Sequence, residues 1–375
     1  MKQRLLFLSV LLLLIATACE KNDYIPDPEP EQEVPYVPSP KVEGRVSIAY
    51  VTYYGTKIPD TDVITHINYS FAELYVREGV YQGFKLQGNQ SRFESVIAVK
   101  QVNPDIKICI SFTHTVSNSD NSQGGGFSAM ASTEEGRKAF AEDCKEFLEK
   151  WGLDGVDIDW ELPGISWSGH ACNPLIDTDN YTLLMKQLRE TLGEKYLITL
   201  AGYIMDKRPS SNGGWKYVDL KAVEPYVDFM NIMTYDMDEA PYHHSALQDS
   251  RAYWDCARAV AEYLNAGVPA SKLVLGIPFY GRRSFSKSPT AINYAKIQNL
   301  DPASYKIDNW DAVANVPYVT YNNTFYCGYD NARSIGIKAE WALKRGMRGL
   351  MYWDYDGDDA KGTLRKAVWE GVMKQ

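Results

Sequence analysis

Short apolar runs recur along the chain, each followed by polar or Gly-rich residues and then by a stretch with helical spacing. They are VSIAYV (46–51), THINYSFA (65–72), IKICISF (106–112), GVDIDW (155–160), YLITLAGY (196–203), VDFMNIMTY (227–235), KLVLGIPFY (272–280) and RGLMYWDY (348–355). Runs of this length and β-branched character read as strands, and their alternation with helices predicts β/α units around a parallel sheet. Thr133, with Glu134 and Glu135 behind it, opens a helical segment to Trp151 that carries Phe140, Cys144, Phe147 and Leu148 on one face. Segments Tyr181 to Leu192, Asp249 to Asn265 and Asn331 to Arg345 behave likewise. Eight such units predict an α/β fold, a closed (β/α)8 TIM barrel with its chemistry at the C-terminal strand ends. An open doubly wound sheet fits less well, because no Gly-rich phosphate fingerprint follows the first strand.

One connection is too long to be ordinary. Residues 282–330 separate the seventh and eighth runs and carry Phe285, Tyr294, Tyr305, Trp310, Tyr318, Tyr321, Phe325 and Tyr326. A long loop in a compact domain is usually functional, so a small insertion forming one wall of a cleft is expected.

The N-terminus reads as a targeting device. Lys2 and Arg4 precede an apolar run from Leu5 to Ile15, too short to span a bilayer, and Ala16-Thr17-Ala18 stands just before Cys19. Residues 1–18 are therefore expected to be a signal peptide. Small residues before a cysteine resemble a bacterial lipobox, although Ala16 stands where Leu is commoner, and the resemblance implies lipidation at Cys19. Residues 19–42 continue as an acidic, Pro-rich segment, expected to be a stiff tether, and residues 43–375 form the body. Acidic residues directly after the cysteine resemble a surface-export signal. The expected location is the outer membrane of a Gram-negative bacterium, lipid-anchored and facing the cell surface.

Composition changes the picture in two places. A formal net charge of -9, from 48 acidic and 39 basic residues, argues against nucleic acid as a partner, since phosphate binding needs a basic face. Beyond Cys19, the cysteines are Cys109, Cys144, Cys172, Cys256 and Cys327, an odd set without C-x-x-C spacing. Buried free thiols are expected rather than a disulfide framework or a zinc site. A monomer is the expectation, with no cofactor.

The stretch GLDGVDIDWELPG (152–164) places four carboxylates within eight positions. In a strand, Asp157, Asp159 and Glu161 share one face and Val156, Ile158 and Trp160 the other, with neighbouring carboxylate-bearing Cα atoms roughly 6.5 Å apart. A calcium loop would need a flexible turn with Gly after the third ligand, and Ile158 and Trp160 are strand formers instead. A merely solvated acidic face is inconsistent with large apolar residues on the other side. Acid/base chemistry remains: Glu161, at the strand's C-terminal end, as proton donor, with Asp159 tuning it by its charge.

At this point the residues resemble a family. DGVDIDWE matches the DGxDxDxE signature of family-18 glycoside hydrolases, the chitinases and endo-β-N-acetylglucosaminidases. SIAYVTYYG, THINYSFA, FSAMASTEEGRKAF, MNIMTYD, GIPFYGR and GLMYWDYDGDD are similar to further segments of that family, so the resemblance covers nearly all of the body. It implies substrate-assisted hydrolysis of β-1,4-linked N-acetylglucosamine glycans with retention, through an oxazolinium ion. Glu161 would be the acid, Asp159 would orient the acetamido N–H with Asp157 behind it, and Tyr235 would bond the acetamido carbonyl. Trp353 would form the floor under the sugar, with Asp236 at the same subsite, and Met233, Tyr50, Phe71 and Tyr280 as pocket walls. Ser111 would bond Asp157. One departure stands out: where the family's third strand usually ends SxGG, this chain reads Ser111-Phe112-Thr113-His114. That predicts a reshaped cleft, with His114 as a contact residue, and the following polar, Gly-rich loop is expected over the site. Two other readings share the barrel: an endo-β-N-acetylglucosaminidase acting on the chitobiose core of N-glycans, and a non-catalytic surface glycan-binding protein.

Overall fold

The computed structural model describes residues 33–35, 41–115, 117–122, 124, 126–165, 169, 171–204 and 217–374. The expected signal peptide and Cys19 lie outside the described residues, as does most of the expected tether.

Eight parallel strands close into a barrel: β1 (Val46–Thr52), β2 (His66–Arg77), β3 (Lys107–Thr113), β4 (Gly155–Asp159), β5 (Leu197–Gly202), β6 (Phe229–Ile232), β7 (Leu273–Pro278) and β8 (Gly349–Trp353). Closure comes from β1, which pairs with β8 on one side and β2 on the other. Every residue of β1, β4, β5 and β7 is buried, because helices cover the outside and side chains fill the inside. The two populations alternate. Val46, Ile48 and Tyr50 join the interior cluster with Phe229, Val274 and Met351, while Ala49 and Val51 join the outer core.

The Glu134–Trp151 helix shows how the sequence dictates an element. Thr133 accepts the Gly136 N–H as N-cap, two glutamates occupy the first turn, and Gly152 ends the helix at φ +65°, a conformation glycine adopts without penalty. Its inner face sets Phe140 edge-on to Phe112 of β3, 4.9 Å between centroids. Burying such a ring contributes about 1.5–3 kcal/mol, and Phe140→Ala is expected to cost about 3–5 kcal/mol.

Three expectations need correction. β2 runs on to Arg77 and returns as an antiparallel strand, Val80–Leu86, a hairpin concealed by the exposed polar face of its second strand. The helix expected from Asp249 starts only at Cys256, because Asp255 caps it through the Arg258 N–H and also accepts the Asp249 N–H, holding 249–255 as a turn. The loop after β3 does not line the cleft among the described residues; Asn118 donates to Leu74 O and the Ser119 N–H to Glu73, which ties it to the β2 hairpin.

The insertion is a five-stranded antiparallel sheet of Tyr280–Arg282, Ala291–Asn293, Tyr305–Asp311, Val316–Tyr321 and Thr324–Gly328. It therefore begins two residues before the expected boundary. Asn322 and Asn323, both at positive φ, form the tight turn of its last hairpin. Its exit is fixed by Asp330, which accepts from Ser245, Ser334 and Lys338 at 2.7, 2.7 and 2.8 Å in a fully buried cluster. Cys109, Cys144, Cys256 and Cys327 are buried free thiols, and Cys172 is half-buried and free.

Candidate active site

The carboxylates of β4 meet at the C-terminal mouth of the barrel. Asp157 is fully buried beneath the cleft and accepts four hydrogen bonds from four other strands: Tyr50 OH at 3.0 Å, Ser111 Oγ at 2.8 Å, Thr199 Oγ1 at 2.6 Å and Asn231 Nδ2 at 3.3 Å. The parallel register dictates this, since Ser111, Asp157 and Thr199 face one another across β3, β4 and β5. Burial pushes the Asp157 carboxyl up, and the four donors hold it back.

Two residues on, Asp159 is buried and lines the cleft, and its carboxyl is pushed well above the usual range by burial, then by the charges of Glu161 and Asp157. Glu161, beyond the strand end, is half-buried on the cleft wall. Burial lifts its carboxyl to about 7, with a bond from Asp159 opposing and the Asp236 charge assisting. The two neighbouring carboxyls interact, so their titrations belong to the pair rather than to either residue alone.

The cleft encloses about 650 Å³. Trp353 ends β8 and lines the cleft, with Phe71 stacked against it at 5.5 Å and 20° and Tyr50 tilted against it at 5.7 Å. Met233, Tyr235, Asp236 and Tyr280 line the same space, so the expected wall residues do come together; Asp157 and Ser111 lie underneath. Tyr235 is buried, and burial with the nearby Asp159 and Glu161 charges keeps its phenol protonated. Its hydroxyl's partner is the Met351 thioether, at 4.0 Å.

Asp236 is held differently. Burial opposes its charge, but His244 and the Arg282 guanidinium outweigh that and keep the carboxyl well below the usual range. The Nδ1 of His244 is 3.3 Å from both Asp236 N and Oδ1. Arg282 and His244 were not singled out from the sequence, nor were the lining residues Ala201, Tyr203 and Met237. A signal existed for two of them: Arg282 follows Tyr280 by two, and Tyr203 continues the inward face of Ala201. The insertion contributes its wall through Tyr280 and the exposed Phe285. Thr113 also lines the cleft, in register with Asp159 on the neighbouring strand.

A closed (β/α)8 barrel with stacked carboxylates on its fourth strand and aromatic walls defines a carbohydrate-processing architecture. The chain belongs to family 18 of the glycosyl hydrolases, whose model matches residues 46–358. It is 31% identical to Chitinase A1 of Niallia circulans over 314 residues, which cover 72% of this chain and 43% of that protein. With Chitinase 63 of Streptomyces plicatus the identity is 26% over 391 residues, covering 89% and 62%. The chain thus spans roughly half the length of these relatives. Among solved structures, a family 18 N-acetylglucosaminidase from Paenibacillus barengoltzii superposes with a TM-score of 0.71 at 28% identity, over 88% of this chain and 100% of that one.

Proposed function

We propose that this protein hydrolyses β-1,4-linked N-acetylglucosamine glycans by a retaining, substrate-assisted mechanism. One observation carries the reading. Asp159 Oδ1 is buried with no hydrogen-bond donor among the described residues, and the Tyr235 hydroxyl faces only a thioether. Both belong to cleft-lining residues. An acceptor without a donor and a hydroxyl engaged only by a weak thioether acceptor complement an amide: its N–H to Asp159, its C=O to Tyr235. The 2-acetamido group of N-acetylglucosamine is such an amide, and Trp353 offers an apolar face to the ring that carries it.

The proton on Glu161 passes to the glycosidic oxygen as the C1–O bond breaks. The acetamido oxygen attacks C1 from the other face, forming an oxazolinium ion whose positive charge Asp159 stabilises. Water then adds at C1, its proton going to the Glu161 carboxylate, and the ring opens with configuration retained. Glu161 needs a carboxyl protonated near neutrality, and burial among other carboxyls supplies that. Relatives named chitinases support a polymer of this sugar as substrate.

The protein is further proposed to be anchored through lipid on Cys19. Val34 donates to Lys344 O, at the C-terminal end of the helix Ala332–Lys344 that precedes β8, on the barrel's N-terminal face. A tether leaving from that face would point the cleft away from the membrane. Labelling cells with a radioactive fatty acid tests this: label on the wild type and none on Cys19→Ser is expected, and equal labelling would refute it.

The hydrolase reading is tested by product analysis on a soluble N-acetylglucosamine oligomer and a high-mannose glycoprotein, with Glu161→Gln as control. Cleavage of the oligomer, abolished in the variant, is expected. Release of intact glycans alone would move the activity to the chitobiose core, and no cleavage with equal binding by both forms would leave a glycan-binding protein.

A further inference from the structure

We propose that His114 is a positioning residue for Glu161, taking over with its side chain the role of a strand partner that Glu161 lacks. For its catalytic consequence the inference rests on the hydrolase reading above. The strand β4 ends at Asp159, and its ladder to β5 ends one residue earlier, at the Ile158–Leu200 pair. Glu161 therefore lies beyond the backbone pairing on both sides. A peptide N–H there needs a partner from elsewhere. His114 provides it: Nδ1 accepts from the Glu161 N–H at 3.3 Å, while the His114 N–H donates to Asp159 O at 3.3 Å.

The two contacts bracket Trp160. From the outside, the Trp160 ring is stacked on Phe127 at 5.3 Å and 9° and leans on Tyr181, so residue 160 is held by packing. On the inside, residues 159 and 161 are held by residue 114. Together these contacts fix the backbone from which the Glu161 carboxyl projects beside Asp159. The backbone half of the grip is available to any residue with a peptide N–H, and the imidazole half needs the histidine side chain. The halves are separable by mutation, since glycine or alanine keeps the first and removes the second. Asparagine restores an acceptor near the Nδ1 position through Oδ1.

The test uses the full-length protein as wild type, His114→Ala, His114→Gly and His114→Asn. Without substrate, the carboxyl of Glu161 is titrated by 13C NMR. Its midpoint is expected to move in the Ala and Gly variants and to return in Asn. With an N-acetylglucosamine oligomer, kcat is expected to fall about tenfold to a hundredfold in Ala and Gly, as for a displaced catalytic group, with KM within about twofold, and to recover in Asn. An unmoved titration in both deletion variants, or an Asn variant that behaves like Ala, overturns the proposal. If the titration moves and recovers while the wild type cuts nothing, the positioning role stands and the hydrolase reading falls. Should Ala fail to fold, Gly supplies the same comparison.

Discussion

Arg282 grips Asp236 with two parallel hydrogen bonds, Nε to Oδ1 at 2.8 Å and Nη2 to Oδ2 at 2.7 Å. Arg282 belongs to the insertion and Asp236 to the segment after β6, so the pair stitches the added sheet to the barrel mouth. Asp236 sits at φ +55°, a conformation that its surroundings must enforce. Arg282→Met should lower stability by about 1.5–3 kcal/mol, the usual range for hydrogen bonds to charged groups. Arg282→Lys should recover less than half of that, since an ammonium cannot reproduce the fork. Urea unfolding of the three forms checks this; a fully rescuing lysine would mean that charge alone matters.

The Glu161 carboxyl, raised by burial to about 7, gives a pH dependence with a definite sign. On the proposed mechanism Glu161 is the acid and must carry its proton, which it holds below its pKa and loses as pH rises through it. We therefore expect kcat/KM to fall on the alkaline side with a midpoint near 7. Asp236→Asn removes a negative neighbour that raises this carboxyl, so the limb should move to lower pH. A limb near the ordinary glutamate value, or one moving upward in Asp236→Asn, would contradict the assignment.

Much of this site was legible because strand alternation is rigid. Asp157, Asp159 and Glu161 had to share a face, and Tyr50 and Ser111 lie on the inward faces of strands that pair around the same axis. What escaped the sequence depends on contacts across the barrel. Nothing in the run around Arg282 says that its partner is 46 residues back, nor that His244 reaches Asp236. The Val80–Leu86 strand escaped for another reason: its alternate residues face solvent, so its apolar run is broken. Asp249 to Asp255 read as helix because their spacing continues that of the helix behind, and only the carboxylate of Asp255, capping Arg258 N–H, shows where it starts.

Asp157 makes a stability prediction that its neighbours make sharp. Replacing it by alanine strands donors from Tyr50, Ser111, Thr199 and Asn231 in the barrel interior. Each buried unsatisfied donor costs about 1–3 kcal/mol, less where two of them can pair. A loss of at least about 3 kcal/mol is expected for Asp157→Ala, and about 1 kcal/mol for Thr199→Val, which removes one donor and keeps the rest. Equal unfolding midpoints for Asp157→Ala and Thr199→Val would show that the carboxylate does not organise the four strands.

On the proposed mechanism, with the unpartnered Oδ1 of Asp159 and the weakly engaged Tyr235 hydroxyl on the amide, the acetamido group is a requirement rather than a preference. In partially deacetylated chitosan, cleavage should therefore occur only where the sugar losing its aglycone is acetylated, because a free amine has no carbonyl oxygen to attack C1. Every new reducing end should then carry an N-acetyl group, whatever lies on the other side of the bond, and the first anomer formed should be β. Mass spectrometry of end-labelled products and NMR of the first turnovers read both. Replacing the Tyr235 hydroxyl, in Tyr235→Phe, should lower kcat by about tenfold to a hundredfold, as for an attacking group no longer held in line with C1, without changing which ends are acetylated. Free-amine reducing ends would exclude assistance by the substrate. Glu161 would then need a second carboxylate about 5 Å away as nucleophile, with Asp159 as the residue to examine.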